Sequence, residues 1–149
     1  MSFLNNPFAL IATLSLTIQI IVLFLLIYGY WLKRKLMFPR HGFIMEIAVI
    51  LHLTMIFIIM IPALIIGIIP AFIFPHFFEL TSVATLIHVV FGSIAVSLGI
   101  WFVLAWRTQG LKGCFKRKKL MFSAMVIWLI AIFFGILLYS ILYWSILMG

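Results

Sequence analysis

Apolar residues run along the chain in four long blocks separated by short polar, basic or proline-rich interruptions. Phe8 to Leu32 passes 25 residues without a charge, longer than the ~7 to 15 residues of a signal-peptide core. Met1 to Pro7 also lacks the cations that would precede such a core, so the block reads as a retained span. Gly42 to Ile69, Ser82 to Trp106 and Leu120 to about Met148 follow. At a rise of about 1.5 Å per residue each crosses a hydrocarbon core of about 30 Å. The pattern predicts an all-α integral membrane four-helix bundle, antiparallel and up-down-up-down. It forms a single transmembrane domain over residues 1–149, with spans at about 8–32, 42–69, 82–106 and 120–148.

The second block is the unusual one. It is entered through Pro39-Arg40-His41 and carries Glu46, His52 and Pro62, and ionisable groups at membrane depth need an interior destination. Pro62 removes a backbone donor, which predicts a kink or early unwinding. Pro70 to Glu79 is too interrupted by proline for a span and too aromatic for a solvated loop, and is expected to lie along the membrane interface with His76 in it.

Helical periodicity picks out inward faces. In the third span Thr81, Thr85, His88, Gly92, Ala95 and Gly99 recur every three or four residues, a seam of small and polar groups. The second span repeats the geometry with His41, Met45, Ala48, His52, Met55, Ile59 and Pro62, and the fourth with Met121, Ala124, Trp128, Ala131, Gly135, Leu138 and Leu142. Glu46 falls off its seam and is expected to pair with Arg40 or the basic loop after span three. Thr13, Thr17 and Gln19 in span one are expected to bond to backbone or to a neighbouring helix.

Composition narrows the class. The chain is 68% hydrophobic and 8% charged with mean hydropathy +1.42, against about 25% charged residues in a soluble domain. The net charge of +8 would point to nucleic acid in a soluble protein. Here the cations sit in two short connections, Lys33 to Arg40 and Arg107 to Lys119, which makes them a topology signal and leaves no nucleic-acid partner expected. By the positive-inside rule both connections are cytoplasmic and the protein is N-out/C-out in the plasma membrane, with the lipid bilayer as its first partner. Tyr28, Tyr30 and Trp31 form one aromatic belt, and Tyr139, Tyr143 and Trp144 the other. Cys114 is the single cysteine and reads as an inert thiol. With Glu46 and Glu79 as the only carboxylates, and without phosphate-binding or dinucleotide motifs, no catalytic constellation is present.

What chemistry remains rests on histidine. His52, about 15 Å from the cytoplasmic start of its span, and His88, about 9 Å from the opposite face, are expected to be nearly level on adjacent helices. They are the candidate axial ligands of a haem b iron, with Ala48, Gly92 and Ala95 making room for the ring and Met55 as a second possible ligand. The competing reading gives both histidines interhelical hydrogen bonds and no cofactor. His41, at the cytoplasmic boundary, is an interfacial or helix-start residue, or else a haem-propionate or partner contact. It lies ~16 Å along the helix from His52, too far to share an ion.

The order Arg40-His41-Gly42-Phe43-Ile44-Met45, Met60-Ile61-Pro62, Ile87-His88-Val89-Val90-Phe91-Gly92, Gly99-Ile100-Trp101, Trp106, Cys114, Lys118-Lys119-Leu120-Met121, and Trp128 to Tyr139 resembles a small four-helix membrane protein family of unknown function. Some of its members are similar to assembly factors for haem-copper terminal oxidases. The resemblance covers about residues 40–140. It implies a helical bundle associated with oxidase-type membrane machinery, and singles out His41 and His88. This chain departs from it in having Cys114 and lysines where related proteins carry a histidine before the last span. The expected function is therefore a non-catalytic accessory or assembly subunit of a respiratory, oxidase-type complex, partnered by other integral-membrane subunits. The alternative is a b-type electron carrier with haem between His52 and His88.

Overall fold

Each apolar block folds as a helix because lipid offers no partner for backbone N–H and C=O groups, and a helix satisfies them internally. The computed structural model describes residues 7–74, 77–116 and 118–148. Helix α1 spans Pro7–Arg34 and α2 Phe38–Met55. Helix α3 spans Leu80–Lys116, broken at Gly110 (φ 56°, ψ −140°), and α4 spans Lys118–Met148. All four are long and apolar enough to cross a bilayer, over Ala9–Arg34, Phe38–Gly67, Leu80–Gly110 and Lys119–Tyr143. The protein is a multi-pass, all-α membrane protein.

The turn between α1 and α2 is shorter than expected, because α2 starts at Phe38 with proline in its first turn, where a missing N–H costs nothing. Leu36 takes a left-handed conformation (φ 60°). The Met37 N–H bonds to the Leu32 carbonyl at 3.0 Å and the Leu36 N–H to the Lys33 carbonyl at 3.1 Å. This is a Schellman ending with leucine in the place usually held by glycine. Leu36 is 73% exposed, so little packing offsets its backbone strain. Leu36→Gly is expected to stabilise the protein by about 1 kcal/mol, read as a later midpoint when the detergent-solubilised protein is unfolded with SDS.

Pro62 acts as expected, but by widening the helix. The α2 rod continues as π-helix over Ile56–Met60 and Ala63–Ile73. Ile61 and Phe74 donate five residues back, to Ile56 and Ile69. Pro62 and Pro70 cannot donate, and their rings crowd the carbonyls four residues earlier, which a wider turn relieves. The expected interfacial segment is thus half helix, since Pro70 to Ile73 belong to this extension. His76 lies outside the described residues.

Helix α3 packs most extensively on α4 and α1 on α2, with α2–α3 and α1–α4 contacts closing the bundle. Its core is Val22, Leu26, Ala48, Val49, Ala95, Trp128 and Ile132. The predicted seams face inward: Thr81, Thr85, Ala95, Ala48, His52, Met55, Ala124, Trp128 and Ala131 are all buried. Pro62 is the exception. It is exposed, because the π-helical extension packs only sparsely on the bundle, through α1 and α3. The two basic connections lie at one end, where Lys33, Trp106 and Met121 surround a single cavity. We call the other end distal.

Candidate functional site

His41 stands in the first turn of α2 because that helix begins before it. Its Nδ1–H donates to the Gly29 carbonyl of α1 at 2.7 Å, and its side chain is buried. It therefore locks the α1–α2 pair at the basic end. Glu46, off the seam as expected, pairs with Arg107 of α3 and not with Arg40. The guanidinium is two-thirds exposed (66%), and solvent screening leaves such a pair worth under about 1 kcal/mol.

His88 forms the corresponding tie between α3 and α4. Its Nδ1–H donates to the Ala131 carbonyl at 2.7 Å. Because a carbonyl only accepts, Nδ1 carries the proton and Nε2 holds the lone pair. The ring lies over Gly135, where a Cβ would come within 2.9 Å of His88 Cε1 and 2.9 Å of Gln19 Oε1. Gly135 thus makes the room in which α1 and α3 bring polar groups together.

His52 is 5% exposed, and its ring meets the Trp128 indole edge-on with centroids 5.1 Å apart. These contacts correct the expectation that the two histidines are level. His52 packs at Trp128, whereas His88 is held at Ala131 and Gly135, one to two turns further towards the distal end of α4. At 1.5 Å per residue the offset is about 5 to 10 Å. Met55 is buried on the His52 face but turns to α1, where Ser15 Oγ–H donates to its sulfur at 3.7 Å. His52 and His88 therefore share one interior, and Met55 and His41 each serve a separate contact with α1.

Two further residues belong to this interior. Gln19, expected to bond to backbone or to a neighbouring helix, is a buried part of it, and Trp128, on the predicted inward seam of the fourth span, is its aromatic wall. In sequence the only signal from Gln19 is that it is the one carboxamide in a long apolar span. Thr13 and Thr17 do bond as expected. Both donate to the carbonyl four residues back, and Thr13 also shares a 2.8 Å hydrogen bond with Tyr139 of α4.

On the basic side of Trp128 lies an apolar cavity of about 70 Å³, lined among others by Leu26, Met45, Val49, Gly99, Met125 and Trp128 and reaching His41 and Lys33. A porphyrin-sized ligand needs several hundred Å³. The space beside the His52 ring is filled by Trp128. Haem coordinated by both histidines would need the indole to swing away and the axial offset to close. Among the described residues no three His, Cys, Asp or Glu side chains converge as a metal site; the Cys114 side chain is outside them. Compared with known protein families, curated proteins and solved structures, the chain matches none.

Proposed function

We propose that the protein is a non-catalytic accessory or assembly subunit that acts by binding other membrane-embedded subunits of a respiratory, oxidase-type complex. The observation that supports this reading is the π-helical extension of α2. None of Ile56–Met60 is buried, and Phe57, Ile58, Ile65 and Ile66 stand 59–78% exposed, away from the protein's own bundle. A rod that packs only sparsely on its own bundle at membrane depth presents a face to another helix as well as to lipid. The direction towards oxidases comes from the sequence resemblance over residues 40–140. The excess of cations at one end supports a cytoplasmic position for that end, in the plasma membrane, with the termini outside.

Isolated from its native membrane in mild detergent, the tagged protein is expected to bring down haem-copper oxidase subunits with their reduced-minus-oxidised spectrum. Normal oxidase assembly and activity in cells lacking the chain would overturn the reading.

A second reading, a b-type electron carrier with haem between His52 and His88, is favoured by one detail. His88 gives its Nδ1–H to a backbone carbonyl and keeps Nε2 as a lone pair, the disposition of an axial imidazole. An optical spectrum of the purified protein decides it. A Soret band with reducible alpha and beta bands, lost in His88→Ala, is the expected result, and a colourless protein rejects it.

A further inference from the structure

Three side-chain atoms in the middle of the bundle have no hydrogen-bond partner among the described residues: Gln19 Oε1 on α1, His52 Nδ1 on α2 and Trp128 Nε1 on α4. Their residues are 5%, 5% and 2% exposed. An unsatisfied buried polar group costs about 1–3 kcal/mol, and a bilayer offers no solvent to relieve it. Such groups on three different helices call for polar partners inside the bundle.

Two of the groups touch, and the third shares their interior. The His52 and Trp128 rings are in contact. Ser15 on Met55 and His41 on Gly29 fix the antiparallel register of α1 on α2, and that register sets Gln19 opposite His52 to within one residue. Gln19 Oε1 and the His88 ring both lie against Gly135.

Their chemistry specifies the guest. Gln19 Oε1 only accepts, Trp128 Nε1–H only donates, and an imidazole nitrogen does either. A cation is disfavoured by the indole N–H, and an anion finds no buried cation there. A small neutral molecule that both donates and accepts fits, and water is the smallest.

Space and polar groups also continue from the centre towards the distal end. On α3, Gly92 lies between His88 and Ala95 on the inward seam, and a Cβ there would have nothing within 4 Å. Further along the same helix towards the distal end, Thr85, Ser82 and Thr81 are buried polar residues, and the Thr13–Tyr139 pair sits at that end between α1 and α4. Below Trp128 the cavity is lined mostly by apolar residues such as Leu26, Val49 and Met125, with Tyr30, Lys33 and His41 as its polar lining.

We propose that Gln19, His52 and Trp128 bind internal water at the centre of the bundle, and that this water exchanges with the distal face along the α3 seam past Gly92 and His88. The proposal goes beyond the accessory reading and does not rest on it.

The test is water-edited solid-state NMR of the full chain in liposomes, with nitrogen-labelled tryptophan and histidine and the Trp128 signal assigned by its loss in Trp128→Phe. The Trp128 indole N–H is expected to receive magnetisation from water and to exchange in D2O. Gln19→Leu is expected to abolish that transfer while the His41 and Trp106 signals stay in place. Gly92→Leu, which adds a side chain into open space, is expected to slow the exchange by an order of magnitude. A Trp128 N–H that neither contacts water nor exchanges overturns the proposal. So does unchanged transfer in a folded Gln19→Leu protein, unchanged exchange in Gly92→Leu, or a Soret band showing haem in the same space.

Discussion

Replacing Gly42 with alanine is expected to destabilise the bundle by about 2–3 kcal/mol, at the upper end of what overpacking costs. In an isolated helix the same change stabilises by roughly 1 kcal/mol, because glycine has more backbone entropy to lose. The sign reverses here because a Cβ at Gly42 would enter the Trp106 indole, 2.6 Å from Nε1 and 2.7 Å from Cζ2. The indole is a rigid plane with no flexible end to bend aside, so α2 and α3 must separate at the basic end. That movement would strain the Glu46–Arg107 pair as well. SDS unfolding in detergent micelles measures the loss, and a double-mutant cycle assigns it. In a Trp106→Leu background Gly42→Ala should cost little, because the clash is removed with the ring. An alanine variant as stable as the parent would show that α2 and α3 do not meet through this pair.

Trp128→Ala is expected to cost about 3 kcal/mol, the low end of the range for deleting a buried aromatic. The side chain is 2% exposed and touches three helices. It contacts His52 on α2, its six-membered ring lies 3.2 Å from where a Gly99 Cβ would stand on α3, and it sits in the core with Val22 and Leu26 of α1. The low end applies because, in lipid, the indole stays in an apolar medium when the helices separate, so only packing is lost and no transfer from water is gained. The deletion also joins the cavity of about 70 Å³ to the polar cluster above it. Trp128→Phe keeps an aromatic wall and deletes the unsatisfied N–H, so its cost is expected to stay under about 1 kcal/mol. Thermal unfolding of the three proteins in one detergent separates the outcomes. Equal losses in both variants would mean that the N–H, not the ring's bulk, holds the centre together.

How far the site was legible depended on whether its residues declared themselves by periodicity. His88 lies on a run of small residues, and its inward direction follows from that spacing alone. His52 and Met55 share a stripe with Ala48, and all three are buried. Gln19 was hidden because α1 has no small-residue seam. Its buried residues, Val22 and Leu26 among them, look in sequence like any lipid-facing residue. Glu46 was placed off the seam correctly, yet its partner was not resolved between Arg40 and the cations after span three. That choice depends on how far α3 extends, and it runs helical past Arg107 to the break at Gly110.

The second block, with its two ionisable groups, has separated into parts of different kind. Its basic half is fastened to α1 by His41 and to α3 by Glu46; His52 faces the centre; and its distal half, widened by Pro62 and Pro70, packs only sparsely on the bundle. Sequence alone determined that there are four membrane-crossing helices, that their cations gather in two connections, and which face of the later three turns inward. Hydrophobic length and helical period are properties of a single segment, and lipid enforces them segment by segment. Only the tertiary structure decided the axial register. It set His52 at Trp128 and His88 a turn or two beyond, and brought Gln19 to Gly135 beside His88. Sliding one helix along another leaves every local period unchanged, so register is fixed only where particular side chains meet a glycine gap or a carbonyl.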